Sequence, residues 1–109
     1  MGPFAEGWHA LALRAYENAK AHGFDPHQHE AIALALMHSE LSEALEAYRD
    51  GNPPSVKAVG FSQVEEELAD AVIRIMEHGY AHDFDVPGAV LAKMAHNLGR
   101  STRHGNRRF

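Results

Sequence analysis

The chain contains no cysteine. Disulfides, thiolate metal sites and a cysteine nucleophile are thereby excluded, and a reducing cytoplasm is the expected compartment. No run of about 18 apolar residues occurs, so no segment is expected to span a membrane. The opening Met1-Gly2-Pro3-Phe4 lacks the basic-then-apolar pattern of a secretory signal. β-Branched residues are sparse and alternating apolar–polar patterns are absent, which argues against a sheet. There is no glycine-rich phosphate loop, so a P-loop ATPase is excluded. Internal repeats and low-complexity tracts are missing as well.

What is present fits one globular domain over residues 1–109, with 45% hydrophobic and 23% charged residues. The net charge of −5 is unevenly spread. From Lys93 onward there are five basic residues and no acidic one, which leaves the first 92 residues with a net charge of −10. Such an acidic body is poorly suited to gripping duplex DNA, and no direct nucleic-acid binding is expected. It suits an anionic ligand handled through a cation, with the basic tail touching the anion; a merely solvated basic tail is the alternative.

Glycine and proline clusters leave four periodic stretches, which predict four helices and an all-α bundle. The first spans Phe4 to His22 and stops at Gly23. The second opens on Asp25-Pro26-His27-Gln28, with Asp25 as N-cap and Gln28 completing a capping box, and ends near Arg49 before Asp50-Gly51-Asn52-Pro53-Pro54. The third starts at Ser62-Gln63-Val64-Glu65, again a capping-box pattern, and reaches Ala81. The fourth starts at Asp85, carries Pro87 in its first turn and fades after Arg100.

At about 100° per residue, the second helix has an apolar stripe of Leu34, Met37, Leu41, Leu45 and Tyr48, expected to face the core. Ser39, Ser42, Glu46 and Arg49 lie on the far side. Glu40 and Glu43 belong to neither; they share a second stripe with Ala33, Leu36 and Ala47. Carboxylates on a half-buried face are costly unless a cation offsets them. The third helix repeats the arrangement. Its expected core stripe is Val64, Leu68, Ala71, Val72 and Ile75, with Glu67 and Asp70 beside it, Gln63 and Arg74 nearby, and Glu65 and Glu66 turned outward. Packed antiparallel, the two helices bring Glu40, Glu43, Glu67 and Asp70 together as four hard oxygen ligands suited to Mg²⁺. Carboxylate pairs three apart also occur on solvated helices, so spacing alone does not establish a metal.

On the fourth helix Val90, Leu91, Met94 and Leu98 form the expected core stripe, and Lys93, Asn97 and Arg100 share an adjacent face. That row could bind a polyphosphate opposite the metal or serve interhelical salt bridges. Trp8 is a candidate for stacking on a nucleobase, or for packing. Among the nine histidines, His78 and His82 stand four apart and could chelate, but His82 falls at a helix end and no metal is assigned to them. Glu6-x-x-His9 has di-iron spacing without the second such motif a ferritin-like site needs.

Glu40-Leu41-Ser42-Glu43, then 23 residues, then Glu67-Leu68-Ala69-Asp70 resembles the ExxE–(12–28)–ExxD signature of the all-α nucleotide pyrophosphohydrolases. The nearest likeness is to small MazG-like proteins. Asn18-Ala19-Lys20-Ala21-His22-Gly23-Phe24 resembles the end of their first helix. Lys93-x-x-x-Asn97-x-x-Arg100, followed by Arg103-His104-Gly105, resembles their ending. The resemblance implies cleavage of the α–β bond of nucleoside triphosphates, releasing monophosphate and pyrophosphate. It implies Mg²⁺, replaceable by Mn²⁺, on the four motif carboxylates, with Lys93, Asn97, Arg100 and Arg103 toward the substrate. It also implies a homodimer or dimer of dimers with sites near the interface. Some relatives carry an extra glutamate beside the first motif glutamate as general base; here the neighbours are Ser39 and Leu41, and no base is assigned. The ending is less like that of phosphoribosyl-ATP hydrolases. A non-catalytic helical dimer acting as a nucleotide-binding or regulatory module is the reading from a different class.

Overall fold

The computed structural model describes residues 2–99; Arg100 and Arg103 lie outside the described residues. Within them the chain forms α1 (Pro3–Ala21), α2 (Glu30–Arg49), α3 (Gln63–Ala81) and α4 (Val86–Leu98). No strand occurs among the described residues, only an isolated bridge between Pro54 and Ser62. The all-α expectation holds. No described helix is long and apolar enough to cross a membrane.

Local chemistry sets most of the helix ends. After α1 the chain turns left-handed at Gly23 (φ 84°). There the Phe24 N–H donates to the Ala19 carbonyl at 2.9 Å and the Gly23 N–H to that of Lys20 at 3.1 Å, the paired bonds of a Schellman stop. Gly51 and Asp83 end α2 and α3 in the same way. The Ser62 hydroxyl accepts from the Glu65 N–H and the Glu65 carboxylate accepts from the Ser62 N–H, so the predicted capping box forms. Asp85 caps α4 through the Gly88 N–H at 3.0 Å.

The start of α2 lies four residues later than expected, with the N-cap at His29 instead of Asp25. Asp25 caps a turn rather than the helix: its carboxylate accepts from the His27 N–H at 2.9 Å. The His27 ring meets the Tyr16 hydroxyl on α1 at 2.6 Å, and Pro26 is buried. Tied down in this way, the segment leaves helical geometry at His29, whose ring Nδ1 then accepts from the Ala31 N–H and becomes the true N-cap. A side chain that bonds its own backbone two residues on competes with helix formation.

α3 lies between α1 and α2, and α4 rests against α1. Tyr16 and Tyr80 pack with tilted rings across the α1–α3 contact, centroids 4.8 Å apart. Gly79 is buried beside the start of α4; an added Cβ would sit 3.0 Å from the Val86 Cγ2, so glycine permits the close approach. The α2–α3 pair is antiparallel, because its contacts run in opposite order. Asn52 meets Val64, Glu40 meets Arg74 and Glu30 meets His82.

The face of α2 that meets α3 is not the predicted one, while the expected core stripe of α3 holds in part, with Ala71 buried and Val64 and Ile75 half-buried. Ala33, Glu40, Ala44 and Ala47 of α2 are buried, with Glu67, Ala71, Met76 and Gly79 of α3. The stripe expected to be core on α2 is largely exposed, Leu41 at 50% and Tyr48 at 72%. Leu68 and Val72 of α3 and Leu91, Met94 and Leu98 of α4 are exposed too. A helical repeat identifies which residues share a face, but not which face meets a neighbour. Here the alanine-rich stripe allows the close approach, and the bulky stripe is turned away. Among the described residues no large side chain is fully buried.

Ser62→Ala removes one half of the capping box. It is expected to cost about 1 kcal/mol, read as a fall of several degrees in the thermal unfolding midpoint by circular dichroism.

Candidate metal centre

The close α2–α3 approach drives carboxylates inward. Glu40 and Glu67 are each only 7% exposed. Oxygens of Glu40, Glu67 and Asp70 come within 4.8 Å of one another. Glu43, more exposed, borders the same space beside Glu67. All four line a cavity of about 780 Å³. The sequence spacing therefore brings its quartet to one cavity, three residues in direct convergence and the fourth on the same wall.

The loop over residues 50–62 completes the cavity. The Asn52 side chain accepts from the Val64 N–H at 2.9 Å, and the Gln63 N–H donates to the Pro53 carbonyl. The buried Ser55 donates its hydroxyl to Glu66 and accepts from the Ala58 N–H. These bonds fasten the loop to the first turn of α3 and carry Lys57 to the cavity wall.

The charges are only partly compensated. Arg74 Nε donates to Glu40 at 2.7 Å, and Gln63 donates to Glu67 Oε1 at 2.6 Å. Glu67 Oε2 is shut off from solvent without a hydrogen-bond partner. Leaving such an atom unpaired costs about 1–3 kcal/mol or more. Burial, reinforced by the neighbouring Glu43 carboxylate, pushes the Glu67 carboxyl above its ordinary value. Burial and the charges of Glu40 and Glu67 push Asp70 up, with Lys57 opposing. The Arg74 guanidinium does part of the neutralising that a divalent cation would do. The orphaned oxygen and the all-oxygen donor set fit a hard ion such as Mg²⁺.

Several residues fall differently from expectation. Glu66 turns toward the cavity instead of outward, and Glu77 and Lys57 also line it. Burial pushes Glu77 up against the opposing charge of Arg74. The α3 members were legible in principle. Gln63, Glu66, Glu67, Asp70, Arg74 and Glu77 make one continuous polar stripe at spacings of one, three and four. Lys57 carried no such signal, because only the loop's folding brings it there. Trp8 lines a separate cavity of about 510 Å³ with His9 and Tyr80, at the other side of α3. Lys93 and Asn97 lie on α4, do not line the carboxylate cavity and are exposed. One chain does not bring these three to the carboxylates.

Comparison with protein-family models, curated proteins and solved structures finds no match for this chain.

The raised Glu67 and Asp70 values have a defined sign. Between the ordinary carboxylate range and the raised values the folded chain holds more protons than the unfolded one, so stability falls as pH rises. In EDTA, the thermal midpoint of Glu67→Gln relative to wild type is expected to climb as pH is raised through that window. A difference independent of pH would contradict the assignment.

Proposed function

We propose that this chain is a Mg²⁺-dependent nucleoside triphosphate pyrophosphohydrolase of the MazG-like kind, acting on the α–β phosphate bond and working as a homo-oligomer. The observation that carries the reading is the convergence of Glu40, Glu67 and Asp70 around a buried, unpaired carboxylate oxygen. The cavity adds the electrostatic reason. Six carboxyls line it, those of Glu40, Glu43, Glu66, Glu67, Asp70 and Glu77, against two cations, Lys57 and Arg74. An anionic polyphosphate would be repelled by that wall unless divalent ions intervened.

Glu40, Glu43, Glu67 and Asp70 would hold the ion, and Mn²⁺ would substitute for Mg²⁺. When bound, the ion supplies charge neutralisation at phosphate oxygens and lowers the pKa of water. The chain's own residues divide the remaining work. Gln63 holds the Glu67 carboxylate in place, and Ser55 holds Glu66. Arg74, which donates to Glu40 and lines the same cavity, would serve as a donor for phosphate. Lys57 is a second cation at the same wall. No residue is assigned as general base.

The oligomer is supported by the exposed apolar stripes. Leu34, Leu41 and Leu45 of α2 and Leu91, Met94 and Leu98 of α4 are each at least half exposed. Exposed rows of large apolar side chains of this kind suit an interface with a second copy. Packing of a second copy on these faces is the proposed route by which Lys93, Asn97, Arg100, Arg103 and Trp8 reach a substrate held at the carboxylates.

Pyrophosphate release across canonical and modified nucleoside triphosphates tests the reaction. Activity is expected with Mg²⁺ or Mn²⁺ and none in EDTA. Glu43→Ala and Asp70→Ala should each lower turnover about 100-fold or more, because metal activation is worth several kcal/mol and each ~1.4 kcal/mol is tenfold in rate. Helicity should be unchanged. Full activity in both variants overturns the site. No pyrophosphate from any nucleotide, with no Mg²⁺-dependent thermal shift, leaves a non-catalytic helical module instead.

Leu41→Glu combined with Leu45→Glu should convert the oligomer to monomer by light scattering and reduce activity with it. A wild-type chain that is itself monomeric at assay concentration removes the oligomer from the proposal.

A further inference from the structure

The antiparallel α2–α3 pair has a second set of ligating side chains at its other end. Glu30 is the first residue of α2, His78 lies in the last turn of α3, and His82 is the α3 C-cap. One ligand atom from each lies within 4.8 Å of the others. They do not satisfy one another. His82 Nδ1 stands 3.9 Å from Glu30 Oε1, beyond hydrogen-bond distance. His78 Nδ1 and His82 Nε2 are closed off from solvent and have no hydrogen-bond partner. The two imidazoles pack with centroids 4.5 Å apart, and Phe84 packs against both at 5.7 Å. Apolar cover over unpaired ring nitrogens is costly without a partner.

We propose that Glu30, His78 and His82 form a second divalent-metal site, for a transition ion of the zinc class, with three protein ligands and an open position. Imidazole nitrogen with one carboxylate selects zinc, cobalt or nickel over magnesium, so the two ends of the α2–α3 pair take chemically different cations. Histidines at i and i+4 project from one face of a helix. The third ligand arrives from α2 because the helix begins at Glu30, just after the Asp25–His29 turn. Bonds of about 2.0–2.2 Å would draw the three side chains together and clip the start of α2 to the end of α3. Its role is structural: it fixes the relative position of the two helices that carry the carboxylates. The site stands independently of the proposed pyrophosphohydrolase reaction.

The test uses the full chain without a histidine tag, stripped with EDTA, then titrated with Co²⁺ and back-titrated with Zn²⁺. The expected result is a visible absorption of four-coordinate cobalt that Zn²⁺ displaces, with a rise in thermal midpoint on Zn²⁺ addition. His82→Gln should abolish the absorption. Glu30→Gln, on a side chain that is 57% exposed and so tolerant of change, should weaken Zn²⁺ binding about 10-fold or more with the far-ultraviolet circular dichroism unchanged. Glu43→Gln/Asp70→Asn should keep the absorption, separating this site from the carboxylate cavity. A cobalt spectrum and Zn²⁺ affinity unaltered by both His82→Gln and Glu30→Gln overturn the proposal. So does cobalt uptake that vanishes in the Glu43→Gln/Asp70→Asn protein.

Discussion

The rest of this structure depends on carboxylates being held between two closely packed helices. Glu40 and Glu67 are nearly inaccessible, yet their surroundings offer one guanidinium and one amide rather than full compensation. Burial raises the proton affinity of the Glu67 carboxyl and penalises its ionised form. The alanines at 33, 44, 47 and 71 allow the approach, since larger side chains there would hold the backbones apart. Stability is thereby traded against a cation-attracting pocket.

The same choice of face explains the outer surface. With the alanine and carboxylate stripe turned inward, the leucine-rich stripe of α2 and the apolar residues of α4 have nowhere to go within one chain. Among the described residues the buried apolar side chains are six alanines and Met76, with Pro26 and Pro87, a thin core by any area-based reckoning of the hydrophobic effect. A structure built this way places its larger apolar side chains on the outer surface.

The ends of the α2–α3 pair differ in chemistry although the helices are the same. Near the loop over residues 50–62 the donors are oxygens, organised by Ser55, Gln63 and the loop's own backbone bonds. At the other end the donors are imidazoles under Phe84. Arg74 and Glu77 lie between, bordering both the carboxylate cavity and the small cavity at His78. At the imidazole end Glu30 is the first residue of α2, directly after the Asp25–His29 turn.

The sequence by itself determined the helices, their stops at Gly23 and Gly51, the Ser62–Glu65 capping box and the pairing of Glu40 and Glu43 with Glu67 and Asp70. The helices, stops and cap rest on contacts between residues a few positions apart, which periodicity and capping chemistry report directly; the carboxylate pairing followed from the spacing within each helix once the two were packed antiparallel. Only the tertiary structure decided which stripe of α2 is buried, that Lys57 joins the cavity, and that Glu30 meets His78 and His82. It also decided that Asp25 caps a turn and not a helix, through the reach of His27 to Tyr16. The physical reason is common to all of these. They depend on how closely two backbones approach and which distant side chain fills the space between them, and a one-dimensional pattern of polar and apolar residues does not encode that distance.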